Sequence, residues 1–595
     1  MRGERVERIA PGDYSLMEHM SNRQAEACAP AEASEEPPKS RSTIQIPGLL
    51  MVLLIVGIWV LAALLINPRG EFPLNDDWCY AGTVKALLET GTLKLPGCSS
   101  PNIIAQILWG ALFCLPFGFS FVALRISTLT LGLIGVLALY GLLREIEADR
   151  ETALFGALLL AFNPLYLGLS YTFMSDVPFT AVSIVSFYFL VRGIRRNLPR
   201  QVAAGLFFAC VALLIRQNGL AIFMAFGLAY LVKSRLRLRN VLLASIPLAL
   251  GGAVQLLWQL WLTHKHIFLP VYARQARSIL SPDFSWQAAV PFVRGLVIIS
   301  AYLGLFLFPL LLFVGRTKLA QLWRSRLLNL AALLFALFAA YLLRQNRMPI
   351  LPNVLYDLGI GPATLRDSFL LKLPSLPTAG KTFWSAVTFV GLVGASVLLQ
   401  MTFLALGKAL NIPPITATKR VPLVLLFAGG LIYLVPMAML FINIDLAFDR
   451  YLLFLVPLGI AIVILLVNNV SFGNAGSALR TVAIASLVLY ATFSIAGTHD
   501  YLSWNRARWQ ALNNLAAERV TPIDIDGGFE FNGWYLYDLN YIPRLKKSWW
   551  WVFRDDFMVT FGPVPEFTEI KRYPFRRWLP PGEGNILVLQ RTTPN

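Results

Sequence analysis

Acidic side chains are scarce in this sequence. Asp and Glu number 33 against 51 Lys and Arg, and charged residues of both signs make up only 14% of the chain. With 56% hydrophobic residues and a mean hydropathy of +0.62, 595 residues cannot form an ordinary soluble domain. The net charge of +18 has no nucleic-acid recognition motif beside it. It is assigned to Lys and Arg in short loops between membrane spans, and nucleic acid is excluded as a partner. Of the five cysteines, Cys28, Cys114 and Cys210 show no metal-ligand spacing. No Walker-type Lys-Ser/Thr follows Gly359-x-Gly361-Pro362, so that glycine pair is not a phosphate loop. There is also no internal repeat with interrupted helices, which counts against a transporter for a lipid-linked or anionic solute, the other class this composition allows.

What is present is a series of apolar segments long enough to cross a bilayer. They predict an all-α polytopic membrane protein of about thirteen spans: 47–66, 121–143, 152–169, 177–191, 202–215, 219–232, 241–262, 288–314, 327–343, 382–406, 421–441, 451–468 and 481–497. Residues 103–120 are apolar but end in Pro116 and Gly118, and are read as an interfacial or re-entrant helix. With that reading, the Arg-rich turns 192–200 and 233–239 fall on the inner side, as the positive-inside rule requires. The polar segment 1–46 lacks a signal peptide's apolar core and is read as a disordered cytoplasmic tail. The outer loops are 67–103, 170–176, 263–287 and 344–381. The last is long enough to suggest a substrate-covering loop.

The chain is organised around Asn75-Asp76-Asp77-Trp78-Cys79-Tyr80-Ala81, directly after the first span. Two adjacent carboxylates beside a bilayer are costly unless water, a cation or a partner compensates them. Asn75 or Asp76 could also cap a helix over 78–90. The topology places Asp76, Asp77, Asp176, Arg216, His264, His266, Arg274, Asp445, Asp449 and Arg450 on one face. Arginine forks suit a lipid phosphate, and a carboxylate can take a proton from an attacking hydroxyl. Asp176 precedes Pro178, so it could cap the next helix; Arg216 could snorkel at a helix end; His264 and His266, without a third ligand in view, read as interfacial anchors.

Asp76-Asp77-x-x-Tyr80-Ala81, with Leu87, Leu88, Gly91 and Pro96 downstream, resembles the first outer loop of the membrane GT-C glycosyltransferases. These include the protein O-mannosyltransferases (dolichyl-phosphate-mannose-protein mannosyltransferases) and the lipid A aminoarabinose transferases. Ser175-Asp176-Val177-Pro178 is similar to their second acidic site, and Arg450-Tyr451-Leu452-Leu453 with Pro457 to a late Arg-Tyr-led span. The resemblance covers roughly residues 47–500 and implies transfer of a sugar, with inversion, from a polyprenyl-phosphate donor to a lipid, glycan or protein hydroxyl. It makes Asp76 the general base or the group that orients the acceptor, with Asp77 and Asp176 assisting or holding a divalent cation such as Mg or Mn; no other cofactor is implied. Ser99-Ser100-Pro101-Asn102 stands where many relatives carry a Lys-Pro-Pro-Leu-like stretch, and Cys79 where the aminoarabinose enzymes place a basic residue. Phosphate binding then falls to Lys94, Arg216, Arg274 and Arg450.

Cys79 and Cys98 share the first outer loop, where an oxidising compartment permits a disulfide. From residue 498 the long apolar runs stop. Residues 503–518 look helical, 520–538 holds short strand-like pieces, and the aromatic run Ser548–Phe553 could lie at the membrane surface. The expectation is a small α+β domain over 498–595 on the extracytoplasmic side, following a transmembrane domain over 47–497 in the inner (plasma) membrane, with the active site on the periplasmic side.

Overall fold

A computed structural model of the chain describes residues 48–592 except 235, 281–284, 314–325, 345, 352, 411–416, 443–446, 467–475 and 544–546. The tail expected over 1–46 therefore lies outside the described residues, as does Asp445. The chain is a multi-pass membrane protein. Among the described residues nine helices are long and apolar enough to cross a bilayer, or ten if one bent pair counts as a span. The first, Gly48–Ile66, carries no charged residue over 19 positions. It rises about 28 Å, close to the thickness of a bilayer core.

Every expected span overlaps a helix. Four of these helices, Pro199–Ile215, Leu220–Ser234, Arg326–Leu343 and Leu455–Leu466, are short, at 17, 15, 18 and 12 residues. The expected span 152–169 is broken into Arg150–Ala161 and Pro164–Ser170, bent by 61°. Pro164 lacks an N–H to continue the first helix, and Asn163 starts the second by accepting from Leu165 N at 3.1 Å. Between 103 and 120 there is only Ile104–Cys114, whose 11 residues rise about 16 Å and cannot cross.

The helix Ser477–Ala517 runs unbroken for 41 residues, through the boundary expected at 497/498. Its later half carries a four-stranded sheet in the order Ile525–Asp526, Phe557–Thr560, Pro581–Arg591, Phe567–Trp578. The first pair is parallel and the others antiparallel. Asp500 on that helix accepts from Trp578 N and Leu579 N, both at 2.8 Å, which joins sheet to helix.

Of the strand-like pieces expected over 520–538 around Gly527 and Gly528, Ile525–Asp526 is a strand, and residues 529–536 form a helix beginning after Gly528 at φ 87°, a conformation glycine adopts without strain. The run 548–553 is divided: Trp550 is buried against Phe369 and Phe529 and Trp551 packs on Trp78 at 5.5 Å, while Trp549 is 53% exposed.

The segment 344–381, expected on the outer side, is held at both its parts. It holds a small hairpin, Leu355–Tyr356 with Gly359–Ile360, and a short helix Arg366–Phe369. Asp449 accepts from Val354 N and Leu355 N. Asp367 accepts from Phe561 N and Gly562 N in the C-terminal sheet, each at 3.1 Å. Buried carboxylates that take several backbone N–H groups leave little freedom for a lid.

Candidate active site

The two adjacent carboxylates have different surroundings. Asn75 turns the chain at φ 57°, which asparagine tolerates, so Asp76 and Asp77 point apart. Asp77 is 3% exposed, and each of its oxygens accepts a backbone N–H, from Leu74 at 2.6 Å and from Phe173 at 3.0 Å. It thereby latches the loop after the first span to the turn before helix Asp176–Arg196. Burial pushes its carboxyl up to about 7, although the two N–H bonds pull the other way. Asp76 makes no capping hydrogen bond, although it stands at the cap position of helix Asp77–Thr90. Its side chain is 32% exposed, with Oδ2 2.8 Å from Arg450 Nη2. Of the acids gathered here, Asp76 is the accessible one; Asp77, Asp176 and Asp449 are all buried.

Arg450 is set by a short turn, Asp449–Leu452. Asp449 holds that turn through Arg450 N at 2.6 Å as well as the hairpin strand above it. The remaining fork of Arg450 donates from Nη1 to Asn353 Oδ1 at 3.2 Å, and Asn75 Nδ2 donates to the same oxygen at 3.1 Å. Asn75 N in turn donates to Glu530 Oε1 at 3.0 Å. Glu530 is buried and paired with Arg508 at 2.7 Å, so the C-terminal region braces the acidic pair from behind.

The second acid pairs with the other arginine. Asp176 lies 3.0 Å from Arg216 Nη1, and Arg216 Nε donates to Ser175 Oγ at 2.9 Å. Neither Asp176 oxygen makes a capping hydrogen bond. Arg216 is therefore anchored in a defined geometry, not left to snorkel. Tyr451 stands between the two cations, its ring 5.5 Å from the Arg216 guanidinium and 5.6 Å from that of Arg450. Tyr80 is buried beside all four charges, and burial pushes its hydroxyl up.

Arg216 and Tyr451 also line a cavity of about 370 Å³. Gln217, Gln255 and Gln275 add polar groups to it, and much of the remaining lining is apolar, with Leu220, Met224, Ile279, Ile432, Met437 and Leu440. A largely apolar cavity with a fixed guanidinium in its wall suits an amphiphile with a phosphate head.

The other expected residues lie elsewhere. Lys94 and Arg274 are exposed and are not among the cavity's lining residues, although Gln275 beside Arg274 is. His264 and His266 are exposed around the end of helix Leu238–His264. The divalent-cation reading of Asp77 and Asp176 does not fit: Asp77 is filled by backbone N–H groups and Asp176 by Arg216, which leaves no shared oxygen set. Among the described residues no three His, Cys, Asp or Glu side chains gather as a metal site. Cys79 and Cys98 are joined in a disulfide, which ties helix Asp77–Thr90 to the end of its loop. Asn353, Gln275 and the bridging role of Tyr451 were not foreseen. Asn353 sits in a loop singled out only for its length, while Tyr451 was visible only as part of the Arg-Tyr pair.

No curated protein matches the chain. Among solved structures it is similar to ArnT from Cupriavidus metallidurans bound to undecaprenyl phosphate, at 12% identity and a TM-score of 0.45, covering 91% of this chain and 98% of that one. The same protein in the apo state gives 13% and 0.40 over the same shares. The arabinosyltransferase EmbB from Mycobacterium smegmatis gives 13% and 0.29 over 78% of this chain and 44% of that one. The family model of the dolichyl-phosphate-mannose-protein mannosyltransferases matches residues 103–263. Over that stretch, which carries both Asp176 and Arg216, the chain is similar to the dolichyl-phosphate-mannose-protein mannosyltransferases.

Proposed function

We propose that this chain is an integral membrane glycosyltransferase that moves a hexosyl or pentosyl group from a polyprenyl-phosphate donor to an acceptor hydroxyl. The observation that carries this reading is the joining of two features at Tyr451. On one side is the largely apolar cavity lined by Arg216 and Tyr451 itself; on the other is the accessible carboxylate of Asp76 held by Arg450.

In this reading the isoprenoid tail occupies the cavity and the phosphate meets Arg216. Arg450 fixes one oxygen of Asp76, and the other faces the acceptor. Asp76 takes the acceptor's proton as its oxygen attacks the anomeric carbon. The bond from that carbon to the phosphate oxygen breaks, and the polyprenyl phosphate leaves with the negative charge, which Arg216 and Arg450 face. Attack opposite the leaving group inverts the anomeric centre. Asp77, Asp176 and Asp449 position the loop, Arg216 and Arg450 respectively. Lys94 and Arg274 are exposed and outside the cavity lining, so this reading gives the phosphate to Arg216 and Arg450. The site belongs on the extracytoplasmic side of the inner membrane, where the Cys79–Cys98 bond can persist.

Retention of labelled polyprenyl phosphate by the purified protein tests the donor site. Met437→Trp fills the cavity and Arg216→Lys removes the fork while keeping the charge beside Asp176; each is expected to lower retention about tenfold. Equal retention by wild type and both variants would refute the donor assignment.

A further inference from the structure

A second cavity, of about 410 Å³, opens between the segment 344–381 and the start of helix Lys381–Leu410. Its polar and aromatic lining comprises Arg347, Tyr356, Asp357, Thr378, Lys381 and Trp384. It shares no lining residue with the cavity lined by Arg216. The two differ in chemistry as well: one is largely apolar, the other a mixture of rings, charges and hydroxyl.

That mixture is suited to a sugar. The C–H faces of a pyranose pack against aromatic rings such as those of Tyr356 and Trp384, while its hydroxyls need donors and acceptors around the edge. Two of the edge groups are already fixed. Arg347 Nε donates to Ser385 Oγ at 2.8 Å, and Asp357 Oδ1 accepts from Ala379 N at 2.6 Å. The outer fork of Arg347 and the second oxygen of Asp357 stay available in a set geometry. Two cations, Arg347 and Lys381, stand against the single carboxylate of Asp357, so the cavity favours a ligand that carries negative charge.

The cavity is joined along the chain to the residues that hold Arg450 and Asp449. Asn353 bonds Arg450, and Val354 and Leu355 bond Asp449. Tyr356 and Asp357 are the next residues along the same hairpin. Three residues of extended chain, about 10 Å at most, separate Asn353 from Tyr356. Group transfer needs a place for each of two substrates, and the donor slot accounts for one.

We propose that this cavity is the acceptor subsite, and that the acceptor is a saccharide bearing an anionic group, a phosphate or a carboxylate. The proposal rests on the transferase reading above. It assigns Trp384 and Tyr356 to the sugar face, Asp357 to its hydroxyls, and Arg347 with Lys381 to the anion.

Saturation-transfer NMR on the purified full chain tests it, with glucose 1-phosphate, glucose and inorganic phosphate as probes. Saturable binding of glucose 1-phosphate is expected, with glucose and inorganic phosphate each at least about tenfold weaker. Trp384→Ala and Lys381→Glu are each expected to weaken glucose 1-phosphate about tenfold. Both variants should retain polyprenyl phosphate as wild type does, which shows that they are folded. The proposal is overturned by an absence of saturable binding in wild type, by equal affinity in wild type and variants, or by inorganic phosphate or glucose binding as tightly as the sugar phosphate. A wild-type protein that binds the sugar phosphate but not polyprenyl phosphate would refute the donor assignment and leave this cavity's assignment intact.

Discussion

Arg450 and Asp76 come from opposite ends of the apolar region and meet at 2.8 Å, with Asn353 on the other arm of the guanidinium at 3.2 Å. The pair sets where the accessible carboxylate points, and Asn353 sets where the guanidinium points. Asn353 is a positioning residue. Asn353→Ala is expected to lower kcat about tenfold while donor KM changes less than about twofold. Asn353→Asp, whose carboxylate can accept the same two bonds, should retain most of the rate. A rise in donor KM with kcat unchanged would place Asn353 in donor binding instead.

Arg216 is expected to behave differently, because it faces the cavity. Arg216→Lys should raise donor KM about tenfold through loss of the fork, with a smaller effect on kcat. Steady-state kinetics over a donor series makes the comparison. An effect confined to kcat would move the phosphate away from Arg216.

Asp77 makes stability depend on pH. Its folded carboxyl titrates near 7, because burial outweighs its two N–H bonds, while an aspartate in an unfolded chain titrates near about 3.9. Between those values the folded chain holds a proton that the unfolded chain has released. Stability therefore falls as pH rises through that window, by up to about 4 kcal/mol. Asp77→Asn removes this contribution. Thermal melts at about pH 5 and about pH 8 should show a larger fall in Tm for wild type than for the variant. Parallel falls would contradict the assignment.

The bond between Cys79 and Cys98 closes a loop with a sequence separation of 19 and holds the helix that starts at Asp77. Replacing both by serine should cost about 3 kcal/mol. Melts with and without reductant on wild type, against the double serine variant, check this: reductant should lower Tm only in wild type. In intact cells the two thiols should react with an impermeant maleimide only after reduction. Labelling confined to inverted vesicles would place the loop on the other face.

The spans were legible because membrane helices must be apolar through their length, and the outer-face motifs were legible because acids are so rare beside them. The break at Asn163-Pro164 could have been read from proline alone. The division of labour within the acidic pair could not. It depends on Phe173 N, far away in sequence, filling one oxygen of Asp77 and on Arg450 reaching Asp76. The aromatic run around Trp550 looked interfacial because composition does not tell burial against Phe529 from burial in lipid. Asn353 carried no local signal at all, since its role comes from two partners that only the fold brings together.

The central claim is that Asp76 takes the proton from an acceptor that receives sugar from a polyprenyl-phosphate donor. The most direct measurement follows radiolabel from a panel of polyprenyl-phosphate sugars into membranes holding equal amounts of wild type or Asp76→Asn. Label is expected to appear with wild type for one donor and to fall by about a hundredfold or more in the variant, the scale of a lost general base. Equal transfer by both would remove Asp76 from the chemistry, and no transfer from any donor would contradict the transferase reading itself.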